Sequence, residues 1–335
     1  MEKYKKAKEN IVKNCLRIKD DDRVVIITDK ETQAIGQAIY ERGIRVVPCK
    51  VVIIEDYTVR PAKKLPDKLA NDITDFKPTV SVYASSGKEG ELQDFRFPLV
   101  DLLRKKLNCR HAHMIGVTTQ IMETGMSQDY TKIYKAAHKL YDLLKSAKNI
   151  ELTDEFGTNL QITFSPQLSW KCEDGIVDKQ GTWINLPAGE VFTCPQKAYG
   201  KVVAWEVGDY FSAKYGLLDK PITLTIKDSR VTNVEGPNKK LTKELWQYLN
   251  KFENGARMGE FAVGCLLGLE KLIGNLLQDE KFPGIHMAFG HPYPEFTGQK
   301  SWDAPTHVDV IPLKVTANVD GLPLLNKGKF VVELN

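Results

Sequence analysis

Strand and helix patterns alternate through the first half of the chain. Apolar, β-branched runs indicate buried strands at residues 23–28, 44–54 and 79–84. Between them, apolar residues recur at helical spacing over residues 35–43 and 65–76. Because successive β-α-β units place their strands side by side, this order predicts a parallel sheet with helices on both faces. We therefore expect a doubly wound α/β domain over residues 1–149.

The pattern changes after Lys148. Alternation of apolar and polar residues, which is typical of half-exposed strands, recurs at residues 150–157, 159–164, 201–205, 222–227 and 230–234. Residues 239–250 and 258–276 instead predict helices. We expect an α+β C-terminal domain over residues 150–335, with a largely antiparallel sheet and the domain boundary near residue 149.

Composition excludes several classes of protein. The 335 residues suffice for two domains, and 42% hydrophobic and 27% charged residues are ordinary for a soluble protein. The net charge of +4 is not concentrated in a basic patch, so nucleic acid is not an expected partner. No apolar run is long enough for a signal peptide or a membrane span, which predicts a cytoplasmic protein without a membrane partner. The six cysteines contain no Cys-x-x-Cys pair, which argues against a thiolate zinc site.

Half of the six histidines fall within residues 259–309, among several carboxylates. Imidazole and carboxylate donors together suit Zn, Co, Mn and Fe(II). His307 and Asp309 lie two apart in a predicted strand, so both side chains point to one face and can hold one ion. An exposed alternating strand is the alternative interpretation.

Two further segments offer donors. Residues 279–286 predict a loop, broken by Pro283 and Gly284, that carries Glu280 and His286 towards a site. Glu260 opens an apolar run that predicts a buried helix, where it acts either as a ligand or as a partner of the helix dipole.

A separate histidine pair occurs in the N-terminal half. His111 and His113 share one face of a predicted strand and can bind a metal. The alternatives are a salt-bridged or core pair, or a substrate-carboxylate contact made by Arg110.

Four motifs, at residues 185–193, 259–260, 279–290 and 307–309, resemble in order the metal-site motifs of the thermophilic-type metallo-aminopeptidases, aminopeptidase T and aminopeptidase S. The resemblance runs from about residue 150 to the end. It implies two divalent metal ions (Zn, Co or Mn), a peptide substrate and a homodimer. Ala188 stands where the family usually has glycine, and the chain is shorter than the family's members.

Carried over by position, the resemblance implies the metal ligands Glu190, Glu260, Glu280, His286, His307 and Asp309. It also implies that Glu260 bridges the ions and shuttles a proton. Tyr293 matches the family's catalytic tyrosine, which would stabilise an oxyanion. A packed aromatic ring between two prolines is the alternative for Tyr293, and no role carries over to His291.

Two other functions remain open from the sequence. The same fold resembles that of the dihydroxypyridine ring-cleaving dioxygenases, which use one iron, and His286, His307 and Asp309 can form a two-histidine, one-carboxylate set. The presence of Glu190, Glu260 and Glu280 favours two metals instead. A non-catalytic, metal-stabilised binding protein is the third possibility.

Overall fold

The computed structural model of the chain describes residues 3–208 and 210–334, which form two compact units. The first unit contains residues up to 134 together with 175–188, and the second contains residues 135–174 together with those from 189 onwards. The first unit is therefore discontinuous in sequence, since residues 175–188 belong to it although they follow the first part of the second unit. The single domain boundary near residue 149 stays a prediction.

Strands in the described part of the chain are β1 (Val24–Thr28), β2 (Cys49–Ile53), β3 (Val80–Ser85), β4 (Arg110–Ile115), β5 (Asn149–Thr153), β6 (Asn159–Thr163), β7 (Lys171–Glu173), β8 (Trp183–Asn185), β9 (Glu190–Thr193), β10 (Lys197–Ala204), β11 (Glu206–Val207), β12 (Ile222–Lys227), β13 (Arg230–Glu235), β14 (Met258–Gly264), β15 (Gly284–Gly290), β16 (His307–Ile311), β17 (Thr316–Val319), β18 (Leu322–Asn326) and β19 (Lys329–Phe330).

The α-helices are α1 (Lys5–Glu9), α2 (Gln33–Gly43), α3 (Asp67–Phe76), α4 (Phe97–Asp101), α5 (Thr119–Glu123), α6 (Tyr130–Leu144), α7 (Tyr210–Tyr215), α8 (Lys239–Leu249), α9 (Leu276–Asp279) and α10 (Pro294–Thr297). Short π-helical stretches extend α1 and flank α4, at Asn10–Cys15, Leu92–Arg96 and Leu102–Lys106. Two 3₁₀ turns lie at Ile54–Asp56 and Gly125–Ser127.

The first unit is built on a five-stranded parallel sheet in the order β2-β1-β3-β4-β8. Strands β1 and β3 are buried along their whole length, as expected for central strands covered on both faces. This arrangement confirms the predicted α/β class. The chain returns after the first part of the second unit to add β8 at the edge of the sheet.

A buried charge network joins the carboxyl ends of β1 and β3. The Asp29 carboxylate is fully buried and accepts hydrogen bonds from Thr32, from the Ser86 backbone N–H and from Ser85 Oγ. The Arg60 guanidinium pairs with it and with Glu91. Burial alone would raise the pKa of Asp29, but these hydrogen bonds outweigh it and hold that pKa well below the usual value.

Replacing Asp29 by asparagine should lower the free energy of unfolding by about 3–5 kcal/mol, because one partner of a buried ion pair is lost. The depressed pKa of Asp29 contributes stability that is present above pH ~4 and is lost as pH falls below that value. Urea unfolding at pH 7 and at lower pH measures both effects. A variant as stable as the native protein at pH 7 would show that the network contributes nothing.

The second unit contains two antiparallel sheets. The larger has the strand order β13-β12-β10-β6-β5-β17-β18-β19, and the smaller has the order β11-β16-β15-β14-β9-β7. The predicted strands at residues 150–157 and 159–164 are present as β5 and β6, which pair with Ile150 and Leu152 facing Ile162 and Leu160. These four side chains belong to one apolar core that also includes Phe261. The predicted, largely antiparallel C-terminal half is therefore confirmed.

Two local predictions were wrong. Residues 258–276 were expected to form a buried helix, but Met258–Gly264 is the strand β14. This strand lies between β15 and β9 and is buried on both faces, so its sequence is apolar apart from Glu260 and lacks the alternation of a half-exposed strand. His286 was expected in a loop but lies within β15, while Glu280 directly follows α9. No helix of the described residues is long and apolar enough to cross a membrane.

Candidate metal centre

The smaller sheet brings the predicted donors to one face. Ala288 on β15 is the register partner of Glu260 on β14 and of Asp309 on β16. Residues paired in this way project from the same face of a sheet. His286 lies two residues before Ala288, and His307 lies two residues before Asp309, so both imidazoles join that face. The predicted strand over His307 and Asp309 is confirmed.

A close chain crossing brings Glu280 into the same group. Gly264 lies at the end of β14, and a Cβ built there would fall 2.3 Å from the backbone oxygen of Phe282 and 2.9 Å from that of Glu280. Only glycine leaves room for the segment after α9 to pass over the strand. Gly264 is also the register partner of Glu190 on β9, which places this crossing beside Glu190.

The distances within the group are those of a metal site. His286 Nε2 lies 3.4 Å from Glu190 Oε2 and 3.4 Å from Glu260 Oε1. His307 Nε2 lies 3.6 Å from the other Glu260 oxygen and 3.7 Å from Asp309 Oδ2. Two ligand atoms held about 2.1 Å from one ion are roughly 3.0–3.4 Å apart at octahedral and tetrahedral angles. A divalent ion can therefore be accommodated with little adjustment.

Unsatisfied polar atoms also fit a metal ion. Glu190 Oε2 and His286 Nδ1 are buried and lack a hydrogen-bond partner within the described structure. Two groups of donors can each hold an ion, Glu190 with Glu260 and His286, and Glu280 with His286 and Asp309. In each group the donor atoms all lie within 4.8 Å of one another.

The carboxylates hold protons on both imidazoles when no metal is bound. Burial lowers the pKa of His286, but the nearby Glu260 and Glu190 carboxylates outweigh it and raise that pKa to about 9. The pKa of His307 is likewise lowered by burial and raised more strongly by Asp309, again to about 9. Because a ligand imidazole must be neutral, metal binding at pH 7 releases these protons.

Lys281 is a component of the centre that sequence reasoning missed. Its buried ammonium lies 2.5 Å from Glu190 Oε1, 2.9 Å from Glu280 Oε1 and 3.8 Å from Glu173 Oε2. Burial lowers its pKa, but the three carboxylates raise it well above 10.5, so the ammonium stays charged. The sequence did contain a signal for this residue, since Lys281 directly follows the acidic pair of Asp279 and Glu280.

Glu173, also missed, is the register partner of Glu190 across β7 and β9. Burial raises the pKa of Glu173 to about 8 and that of Glu280 to about 7. Each carboxyl therefore binds a proton more readily than a free glutamate does, and the Lys281 ammonium opposes this effect. The neighbouring Asp279 has a structural function instead, since it accepts hydrogen bonds from the backbone N–H groups of Ile273, Gly274 and Asn275.

Contacts outside the donor group orient His307. Its Nδ1 lies 3.0 Å from the backbone oxygen of His291, which can only accept, so Nδ1 carries the hydrogen and Nε2 faces the carboxylates. His291 itself bonds Asp303 through Nδ1 at 2.6 Å. His291 therefore supports His307 from the edge of the site.

Tyr293 packs beside this group in a strained conformation. Its ring meets the His307 ring edge-on at 4.9 Å, and its backbone has φ of 50°, in the left-handed region. Such a conformation in a non-glycine residue carries strain and is frequent at functional sites. Burial, followed by the Glu260 and Asp309 carboxylates, raises the pKa of Tyr293 well above 10, so its hydroxyl keeps its proton.

The histidine pair of the first unit has a different environment. His111 Nε2 lies 3.1 Å from His113 Nδ1, and His111 Nδ1 lies 2.8 Å from Ser81 Oγ. Burial lowers the pKa of His111 to about 3, which keeps its ring neutral. Arg110 pairs with Asp22 at 2.6 Å. Among the described residues neither histidine joins a group of three donors, so the pair fits the core interpretation.

The structure thus brings together all six predicted ligands and Tyr293. Their individual roles, the number of ions and the metal identity stay predictions, as does the homodimer. The chain does carry groups of donors suited to a divalent metal ion.

Comparison with known proteins supports the fold in two ways. The chain superposes on 2,5-dihydroxypyridine dioxygenase from Pseudomonas putida KT2440 with a TM-score of 0.70, at 15% identity, covering 98% of this chain and 97% of that one. It superposes on wild-type AmpT from Thermus thermophilus with a TM-score of 0.69, at 17% identity, covering 98% of each chain. At these identities the likeness shows the fold alone. No curated protein matches the sequence.

The family match is more specific. The family model described as NicX, 2,5-dihydroxypyridine 5,6-dioxygenase, matches residues 5–259, which is more than half of the 335-residue chain. The expected relation to aminopeptidase T therefore holds for the fold, whereas the family match points to the dioxygenase branch. The chain belongs to the NicX family.

Proposed function

We propose that this chain is a metal-dependent oxygenase that uses one ferrous ion to cleave a dihydroxypyridine ring. The observation that carries the proposal is the position of the Lys281 ammonium between Glu190 and Glu280. The family match supports the same reaction class. A dioxygenase adds both oxygen atoms of O₂ to its substrate while one ring bond breaks, so no other oxidant is consumed.

The Lys281 ammonium supplies the positive charge that a second metal ion would otherwise supply. A buried ammonium within 3 Å of two carboxylates neutralises them as a bound cation would, and a divalent ion placed at the same oxygens would be repelled by it. Because Glu190 and Glu280 are paired with Lys281, they are less available as metal ligands. The number of ions that the site can hold is thereby reduced from two to one.

The donors that remain suit ferrous iron. His286, His307 and Asp309 supply two imidazoles and a carboxylate, a set typical of non-haem Fe(II) oxygenases with open positions for ligands. His286 and Asp309 already share one donor group, and His307, 3.7 Å from Asp309, would join them when the ion binds. A ferrous ion bound there would supply the means to activate dioxygen and to hold a substrate oxygen. Glu260 lies between both imidazoles and can accept a proton from the substrate hydroxyl.

Tyr293 is the polar group that we expect to contact the substrate. Its ring packs against that of His307, and its protonated hydroxyl would donate a hydrogen bond to an oxygen that gains charge during the reaction. A cavity of about 950 Å³ with mostly apolar walls borders Glu280, but neither imidazole ligand nor Tyr293 lines it, so this cavity does not mark the substrate position.

Changing Tyr293 to phenylalanine deletes this hydroxyl and no ligand. Metal content should stay at the wild-type value while kcat falls by about 10²–10³, the range for losing one donor to a developing oxyanion. KM should change little, because the hydrogen bond strengthens mainly in the transition state. Steady-state kinetics with metal analysis measures both, and near-full activity would assign Tyr293 to packing.

A two-metal aminopeptidase is the second candidate, favoured by the two donor groups that share His286. In this case Glu260 would be a ligand to both ions, since its two oxygens face different imidazoles. Bound metal would supply an activated water for hydrolysis, and the Tyr293 hydroxyl would stabilise the oxyanion. The ions would be Zn, Co or Mn and the substrate a peptide.

Parallel assays separate the two functions. Protein loaded anaerobically with Fe(II) should consume one O₂ per molecule of 2,5-dihydroxypyridine lost, whereas protein loaded with Zn(II), Co(II) or Mn(II) should not hydrolyse leucine anilide. The Asp309→Asn variant serves as the inactive control in both assays. Anilide hydrolysis without ring cleavage would assign the chain to the aminopeptidases.

A further inference from the structure

The second unit contains another group of metal donors, away from the candidate centre. His138 lies on α6, Cys172 is the middle residue of β7, and Asp174 follows that strand. One donor atom from each lies within 4.8 Å of the other two. His138 Nε2 lies 2.9 Å from Asp174 Oδ2. Nitrogen, sulfur and oxygen donors together form a set that Zn(II) and Co(II) accept.

Strand alternation separates this group from the candidate centre. Glu173 and Glu190 are register partners, and both carboxylates reach Lys281. Successive residues of a strand point to opposite faces. Cys172 therefore projects from the other face of the sheet, where it packs against the same apolar core as Tyr141 of α6.

The three side chains are accessible from solvent. The His138 side chain is 45% exposed and that of Asp174 is 20% exposed. Cys172 is half-buried. An ion can thus enter directly, and a water molecule can complete a tetrahedral arrangement of three protein donors.

We propose that His138, Cys172 and Asp174 bind one borderline divalent ion, with zinc(II) the biological candidate, and that this ion ties α6 to β7. On binding, the Cys172 thiol loses its proton to solvent and a sulfur–metal bond replaces the S–H bond. Burial raises the pKa of the free Cys172 thiol to about 12, so the sulfur stays protonated until an ion arrives. The site is structural, because it connects two elements and lies on the opposite face from the candidate centre.

Cobalt(II) titration of the metal-free protein tests this proposal independently of any enzyme activity. The candidate centre offers only nitrogen and oxygen donors, so it cannot produce a sulfur-to-cobalt charge-transfer band in the near ultraviolet. We expect that band in the wild-type protein and its loss in Cys172→Ser. It should persist in Cys49→Ser, since Cys49 is a half-buried cysteine of the first unit.

Substitution of the other two donors should weaken the same signal. His138→Gln and Asp174→Asn are expected to shift the titration midpoint of the band at least about tenfold towards higher cobalt. Should Cys172→Ser fail to fold by circular dichroism, the half-exposed His138→Gln provides the decisive comparison. Absence of the band at saturating cobalt, or an unchanged band in Cys172→Ser or in folded His138→Gln, overturns the proposal.

Discussion

Replacing Asp309 by asparagine is expected to abolish turnover and to lower metal affinity by more than about 100-fold. Substitutions that only touch the partners of metal ligands cost about 10–100-fold, so loss of an anionic ligand should exceed that range. The carboxylate also lies 3.7 Å from His307 Nε2, so its loss removes a negative charge from the middle of the donor group. Metal titration by calorimetry and oxygen uptake measure the two effects.

Asp228→Asn is the matched control, because Asp228 is an exposed carboxylate of the same unit that accepts a hydrogen bond from the Tyr199 hydroxyl. It should leave affinity and turnover unchanged. If Asp309→Asn binds metal as tightly as the native protein, the carboxylate does not contact the ion and the proposed donor set is wrong.

Replacing Lys281 by methionine should have the second large effect. Without the ammonium, Glu173, Glu190 and Glu280 remain buried together without their cation. Removing one partner of a buried ion pair costs about 3–5 kcal/mol, so the metal-free variant should unfold at clearly lower urea concentration. The freed carboxylates should then accept a second divalent ion, which restores much of the lost stability.

Metal analysis after dialysis against Mn(II) checks this expectation. The wild-type candidate centre should retain one ion, and Lys281→Met should retain two. The double variant Lys281→Met with Glu280→Gln removes one carboxylate as well, so it should be more stable than Lys281→Met when metal-free. Equal stoichiometry in the wild type and Lys281→Met would show that the lysine does not substitute for a metal ion.

Sequence reasoning succeeded where the pattern is local. The strand carrying His307 and Asp309 has alternating, β-branched neighbours, and its two-residue spacing correctly placed both donors on one face. The β-α-β order likewise predicted the parallel sheet of the first unit. The resemblance of four motifs selected donors that lie together in the structure, and their individual roles stay predictions.

Failures arose where long-range pairing determines the structure. Apolar and polar residues do not alternate along β14, because both faces of this strand are buried. Its apolar run therefore resembled a buried helix, and only its pairing with β15 and β9 identifies it as a strand. Strand β8 has three residues, and only its pairing with β4 assigns it to the first unit. Lys281 and Glu173 lie far apart in sequence, and their contact depends on the chain crossing at Gly264.

Anomalous diffraction from crystals grown with Fe(II) under anaerobic conditions tests most directly whether the centre holds one ion. The proposed function predicts a single iron peak contacted by His286, His307 and Asp309, with the Lys281 ammonium still within hydrogen-bond distance of Glu190 and Glu280. Peaks measured again with Mn(II) should give the same count at this centre. Two peaks bridged by Glu260, with Lys281 displaced from the glutamates, would contradict the one-ion centre and favour the aminopeptidase.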